Sequence, residues 1–128
     1  MSLLKAIADV CTESTVLHIN VPNANSFHRV LAKQMGLIKD VCEFSESNKL
    51  YQQHNVYDME ELVECVKLCG FRVIDEGDYF LKPFTHSQMY DMIGKGIIDE
   101  KVLDGLYGMT GFLSGMGSEV FVNCKLRR

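Results

Sequence analysis

The stretch of sequence that decides the fold covers residues 14–29 and reads STVLHINVPNANSFHR. Its first half is a short run of apolar and β-branched residues that stops at Pro22. Such a run is typical of a buried strand and is compatible with a parallel sheet whose two faces are both covered. Its second half is rich in Asn and Ser, as loops are. We therefore expect a strand, a polar loop, and then a helix over residues 26–35 that Ser26 caps and Gly36 ends. The side chains expected to point inward from this helix are Phe27, Val30, Leu31 and Met35.

Length, composition and charge limit the class of protein. A chain of 128 residues, of which 47% are apolar and 23% charged, is expected to form a single globular domain over residues 1–128. The net charge of −4 disfavours binding to nucleic acid. No apolar run approaches the roughly 18 residues of a membrane span, and the first residues, MSLLKAIADVC, do not resemble a signal peptide. We expect a cytoplasmic protein that binds neither nucleic acid nor a membrane.

The five cysteines are odd in number and form no CxxC pair. Without a secretory signal, reduced thiols are the expected state. Cys65 and Cys69 are four residues apart on one helix and therefore share a face. A structural zinc site needs four ligands, and no second pair accompanies them, so we expect buried apolar cysteines and no metal site.

The remaining elements follow from periodicity and end signals. In chain order we expect helices or strands over residues 2–10 (helix), 58–70 (helix), 71–82 (strand), 85–95 (helix), 99–107 (helix) and 119–126 (strand). The expected helix caps are Asp58, Thr85 and Asp99. Gly70 is placed to end the second helix in the left-handed conformation, and Gly77 is expected to kink the following strand. Residues 39–55 are polar and only weakly periodic, which indicates a loop or a short irregular helix.

Three strings in this order resemble the second half of class I S-adenosylmethionine-dependent methyltransferases of the small-molecule type. They are HINVPNANSFHRVLAKQMGLI (18–38), HNVYDMEELVECVKLCGFRVID (54–75) and GSEVFVNC (117–124). The resemblance covers nearly the whole chain. It implies the C-terminal part of a Rossmann-like, doubly wound α/β sheet, with a helical insertion over residues 85–113 before a last, antiparallel strand.

The cofactor half of that family has no counterpart here. Its Gly-rich loop follows the first strand and an acidic residue ends the second, whereas none of the ten glycines forms such a loop after a strand. The chain therefore resembles the substrate-side half of a methyltransferase acting on a small molecule. S-adenosylmethionine would belong to the complete enzyme, and we expect this chain alone to bind it weakly or not at all. The alternative is a non-catalytic, methyltransferase-like module for self-association or interaction.

The loop after the first strand is the expected substrate site, because ligands of open α/β sheets bind beyond the carboxyl ends of the strands. His28 is the candidate catalytic base, since the pKa of imidazole lies near working pH. Arg29 is a candidate for holding a carboxylate or phosphate. The resemblance adds two positions ahead of the second helix. The expected substrate-binding residues are Asn20, Asn23, Asn25, Arg29, His54 and Tyr57.

Simpler interpretations stay open for each of these residues. The Asn and Ser side chains would only cap the next helix, with His28 and Arg29 on its solvent-exposed face. Tyr57 would be an apolar residue that packs just before the cap. His18, in the middle of an apolar run, is expected to be a hydrogen-bonded core histidine.

The segment over residues 85–113 is rich in Met and aromatic side chains. Such side chains line apolar pockets or partner surfaces, or simply fill a core. If the first strand is central in a larger sheet, one of its edges is uncovered in this chain. We therefore expect self-association into a homo-oligomer, with a symmetric dimer as the commonest closed form.

Overall fold

The structure is a computed structural model that describes residues 2–40 and 57–127. Its elements in chain order are α1 (Ser2–Val10), β1 (Leu17–Pro22), α2 (Phe27–Gln34), α3 (Met59–Leu68), β2 (Phe71–Tyr79), α4 (His86–Gly94), α5 (Glu100–Gly108), a short 3-10 helix (Met109–Gly111) and β3 (Glu119–Leu126). This order agrees with the prediction, including the helices between β2 and β3. The irregular segment predicted over residues 39–55 lies almost wholly outside the described residues.

The three strands form one sheet in the order β1-β3-β2, and β3 is antiparallel to both neighbours. Because each of them opposes β3, β1 and β2 run in the same direction and end at the same edge of the sheet. The α/β class and the antiparallel direction of the last strand are confirmed. The larger doubly wound sheet stays a prediction.

The expectation that β1 is buried on both faces is wrong. Leu17, Ile19 and Val21 are half-buried and lie opposite core residues of β3, whereas His18 and Asn20 are exposed. This alternation is typical of an antiparallel strand with one face on the core and the other in water.

His18 is consequently not a core residue, contrary to the prediction. Its ring stacks on Phe121 with the ring centres 5.6 Å apart, and its Nδ1 lies 2.7 Å from Oδ1 of Asn123. The imidazole is thus satisfied, but by neighbours on the open face of the sheet.

The core lies between the other face of the sheet and the helices α1 and α3. Its fully buried side chains include Val66 of α3, Phe71 of β2 and Val122 of β3. Helix α1 contributes partly buried side chains, among them Ile7. Leu3, at the start of the same helix, is 72% exposed.

The capping boxes that begin α3 and α4, and the glycine that ends α3, are confirmed. The Asp58 carboxylate accepts a hydrogen bond from the Glu61 amide at 2.8 Å, and the Glu61 side chain accepts one from the Asp58 amide. Thr85 and Gln88 form the same reciprocal box at the start of α4. Gly70, with φ of +94°, ends α3 in the left-handed conformation.

Strand β2 departs from the prediction in where it is irregular. Its register with β3 shifts between Val73 and Asp75, and Gly77 continues the strand. At Gly77 an added Cβ would lie 2.9 Å from the Phe121 ring. Gly77 therefore allows the Phe121 ring to pack closely on the strand, and an added Cβ would push that ring aside.

The helices between β2 and β3 leave apolar side chains in solvent. Tyr107 of α5 is 62% exposed and Phe112 is 87% exposed, and α5 has no buried residue. Helical spacing over residues 99–107 predicts that Tyr107 points inward, which is wrong. The inward orientation predicted for Met35 is also wrong, because Met35 is 63% exposed after α2. Among the described residues, no helix has the length and apolarity that crossing a membrane requires.

Candidate functional site

Asn23 anchors the loop that follows β1 through the hydrogen bonds of its side chain. This side chain is only 2% exposed. Its Nδ2 donates to the carbonyls of Gly115 at 3.0 Å and Gly117 at 2.8 Å, and its Oδ1 accepts from the Asn25 amide at 3.0 Å. Asn23 therefore has the structural role of joining two loops, and its amide is already used.

A cavity of about 360 Å³ opens beside this loop, at the edge where β1 and β2 end. Met59 and Val120 supply apolar wall, and Gly77 and Gly115 supply backbone. The amides and carboxylates that line it are Asn23, Asn25, Asp58, Glu60, Glu76 and Asp78. Every charged side chain in this lining is acidic, so the cavity favours a ligand that carries positive charge or hydrogen-bond donors.

The predicted site residues do not all meet at this cavity. Asn23 and Asn25 line it, whereas His28, Arg29 and Tyr57 do not. Asn20 points to the open face of the sheet, where its Nδ2 donates to the Tyr79 hydroxyl at 2.6 Å. His54 lies outside the described residues.

His28 and Arg29 lie at the start of α2, in a half-buried cationic environment. Burial, together with the positive charges of Lys82 and Arg29, lowers the pKa of His28 to about 4. Nδ1 of His28 lies 3.1 Å from the Ser26 hydroxyl. The imidazole is therefore neutral at pH 7, and a base with so low a pKa takes up a proton weakly.

The structure differs from two predictions about the start of α2. The Ser26 side chain makes no cap hydrogen bond and contacts His28 instead. Arg29 is only 7% exposed, so it does not lie on a solvent-exposed face. The role of Arg29 as an anion ligand stays a prediction.

Lys82, just after β2, is a half-buried cation that sequence reasoning missed. Burial lowers its pKa, against the opposing effect of the Glu119 carboxylate. Burial likewise raises the pKa of Glu119, against the effect of Lys82. No local pattern marks Lys82, because its burial arises from contacts made after the chain has folded.

Tyr57 connects the start of α3 to the candidate loop through its backbone. Its carbonyl accepts from the Ala24 amide at 2.8 Å, and residue 57 forms an isolated bridge with residue 23. Its side chain packs partly against the core and lines a separate groove of about 530 Å³ on α3. Burial raises the pKa of Tyr57, and the neighbouring Cys65 and Glu61 raise it further. These contacts favour the structural interpretation of Tyr57.

The cysteines of α3 do not assemble a metal centre. Cys65 is half-buried and Cys69 is 6% exposed. Burial raises the pKa of the Cys65 thiol, as does the neighbouring Cys69. Within residues 2–40 and 57–127, no group of three or more His, Cys, Asp or Glu side chains has the geometry of a metal site.

Asp78 is the second residue that sequence reasoning missed. Regular alternation from Phe71 and Val73 would place residues 75, 77 and 79 on the core face. The register shift after Val73 instead puts Asp78 opposite the buried Val120. Asp78 therefore faces the cavity and the loop before β3, where its Oδ2 accepts two backbone amides.

Comparison with protein-family models and with curated proteins assigns no function to this chain. No protein-family model matches the chain, and a search of curated proteins returns no match.

Proposed function

We propose that this chain carries the substrate-side elements of an S-adenosylmethionine-dependent methyltransferase that acts on a small molecule. The observation that supports the proposal is the cavity beyond the carboxyl ends of β1 and β2, bordered by the polar loop after β1. Ligand sites of open α/β sheets lie at this position. We take the reaction from the resemblance in sequence, and we propose that the substrate binds in this cavity.

The lining of the cavity narrows the class of substrate. A volume of about 360 Å³ suits a small molecule. The carboxylates of Asp58, Glu60 and Glu76 would attract an amine or another cationic group, whereas a phosphate would meet repulsion. The substrate we propose is therefore a small, positively charged or donor-rich molecule.

The described residues do not fit S-adenosylmethionine itself. Its usual cradle is a Gly-rich loop between a strand and a helix, and the loop between β1 and α2 is NANS, with no glycine. The glycines of residues 105–117 precede β3 and follow no strand directly. We therefore place the cofactor site in a further half, outside residues 1–128.

In this arrangement the contribution of the chain is positioning. Asn23 fixes the loop, Asn25 stands exposed at the cavity, and the acidic side chains orient the substrate. Holding a reactant in the reacting geometry supplies much of the rate of a displacement reaction. The catalytic role of His28 stays a prediction, because its pKa of about 4 makes it a weak base at neutral pH.

Methyl transfer by the native protein tests this proposal. The protein is isolated from its own cells under native conditions, and its mass and co-purifying chains are determined. It is then incubated with S-adenosylmethionine labelled with tritium on the methyl group and with a small-molecule extract of the same cells. We expect label in a small, cationic product, and none when the isolated 128-residue chain replaces the native assembly. A native assembly that transfers no label would overturn the proposal.

One observation favours a second candidate, a non-catalytic module for self-association. In the described part of the chain, no strand pairs with the outer edge of β1. Val16 beside that edge is 52% exposed, and Val10 at the end of α1 is 80% exposed. An unpaired strand edge next to apolar side chains recruits other chains.

A further inference from the structure

A short segment before β3, residues 115–118, holds the candidate loop in place; we name it the clamp segment. The Asn23 side chain donates to two of its carbonyls, and the Asn23 amide donates to the carbonyl of Ser118 at 3.0 Å. The position of Asn23 therefore depends on residues more than 90 positions away in sequence.

The same segment holds the start of α2. The Phe27 amide donates to the carbonyl of Met116 at 2.9 Å. This amide lies in the first turn of the helix, where it has no partner within the helix. Since His28 and Arg29 follow directly, their placement depends on the clamp segment as well.

The clamp segment is in turn held by the end of β2. Oδ2 of Asp78 accepts the amide of Gly117 at 2.6 Å and the amide of Gly115 at 3.1 Å. The Ser118 amide donates to the carbonyl of Phe80 at 2.7 Å. Hydrogen bonds to a carboxylate are about twice as strong as neutral ones, so Asp78 supplies the strongest of these links.

Packing leaves the clamp segment little freedom. A Cβ added at Gly117 would lie 2.6 Å from the Tyr79 nitrogen and 2.7 Å from Oδ2 of Asp78. Backbone therefore lies directly against backbone at this point, and only glycine allows the approach.

We propose that Asp78 is a positioning residue, which fixes the candidate substrate loop through the clamp segment. This inference rests on the proposed function, since the loop it positions is the proposed substrate site. Although Asp78 also lines the cavity, the same Oδ2 accepts both glycine amides. Its contribution is therefore to order the loop rather than to react.

The test compares Asp78→Asn with Glu76→Gln. Both substitutions remove one negative charge from the same cavity. The amides of Gly115 and Gly117 donate to the Asp78 carboxylate and not to that of Glu76, so only the first substitution weakens the clamp segment. Amide hydrogen exchange, measured by NMR, reports local opening. In Asp78→Asn we expect the Asn23 and Phe27 amides to exchange at least about tenfold faster, while the amide of Val122 in the central strand keeps its rate. In Glu76→Gln all three amides keep their rates.

The pKa of His28 separates positioning from a simple charge effect. Loss of a negative charge by itself would lower this pKa. Loosening of the loop would hydrate the ring and relieve its burial, which is the main cause of the shift to about 4, so the pKa would rise toward 6.5. The other groups that act on the ring, Lys82, Arg29 and the Ser26 hydroxyl, are unchanged in both variants. We expect the rise in Asp78→Asn and not in Glu76→Gln.

A measurement on the unmodified protein keeps the inference testable if Asp78→Asn does not fold. A scalar coupling across the hydrogen bond, between the Gly117 nitrogen and the Asp78 carboxylate carbon, is expected for a 2.6 Å contact. Absence of this coupling would overturn the inference, as would unchanged exchange together with an unchanged or lowered His28 pKa in Asp78→Asn. No cofactor or substrate enters these measurements, so their failure is distinct from failure of the methyl-transfer proposal.

Discussion

Replacing Gly117 by alanine is expected to destabilise the protein strongly, although it adds a single methyl group. The new Cβ would lie 2.6 Å and 2.7 Å from the backbone nitrogen and oxygen of Tyr79, whereas ordinary contacts begin at 3.4 Å. The clamp segment must therefore move by about 0.8 Å. That movement stretches the 2.6 Å hydrogen bond to Asp78.

The size of the loss follows from two terms. Overpacking of this kind costs about 1–3 kcal/mol, and weakening a hydrogen bond to a carboxylate costs up to about 3 kcal/mol. The two terms share one movement and do not add fully. We expect the free energy of unfolding to fall by about 3 kcal/mol.

Urea unfolding followed by circular dichroism measures this loss. With a slope of about 2 kcal/mol per molar urea, the midpoint of Gly117→Ala should fall by about 1.5 M. The matched control is Gly111→Ala, a nearby glycine where no atom lies within 4 Å of the added Cβ. The control should change stability by less than about 0.5 kcal/mol. Equal midpoints for the two variants would refute the close packing of the clamp segment.

Two further predictions concern pH and association. The pKa of His28 is lowered from 6.5 to about 4, so the unfolded chain binds more protons than the folded chain between pH 4 and pH 6.5. The contribution of His28 to the free energy of unfolding is therefore fully present above pH 6.5. It falls by up to about 3 kcal/mol as the pH drops to 4. In a profile of urea midpoint against pH, His28→Gln should remove the fall between pH 6.5 and pH 4, and the control His86→Gln, at an exposed histidine, should keep it. Equal profiles for wild type and His28→Gln would contradict the burial of His28. Sedimentation equilibrium at micromolar concentration should give a dimer, through the edge of β1 and its apolar surroundings, and a single species of monomer mass would count against that edge as an association surface.

Much of the local structure could be predicted from the sequence because its causes are local. The capping box of Asp58 and Glu61 lies within one helical turn, and Gly70 ends α3 because its φ of +94° is available to glycine. The order of helices and strands follows from the same short-range signals. These features need no knowledge of the rest of the chain.

The faces of the strands were harder to predict because they depend on partners. His18 lies in an apolar run, which favours a buried position. In the structure β1 pairs with the antiparallel β3, and the face of the sheet that carries His18 and Phe121 is open to solvent. The register shift after Val73 moves Asp78 to the core face. A shift by one residue exchanges the two faces of a strand, and no motif in the sequence marks where it occurs.

The candidate site, too, could be predicted from the sequence only in part. Its location after β1 followed from the Asn-rich loop, and Asn23 and Asn25 do border the cavity. The acidic lining and the clamp segment could not be predicted, because they join residues from β2, α3 and the loop before β3. Asn20 was misassigned to this loop for the same reason, since its direction is set by its pairing in β1.

Binding of S-adenosylmethionine, measured by titration calorimetry, tests the central claim most directly. The isolated chain and the native assembly are titrated side by side in one buffer. The account predicts saturable binding, with one cofactor per assembly unit, for the native assembly and no saturable heat for the isolated chain. Micromolar binding of one cofactor to the isolated chain would contradict the placement of the cofactor site outside residues 1–128, and absence of binding to both would contradict the methyltransferase proposal.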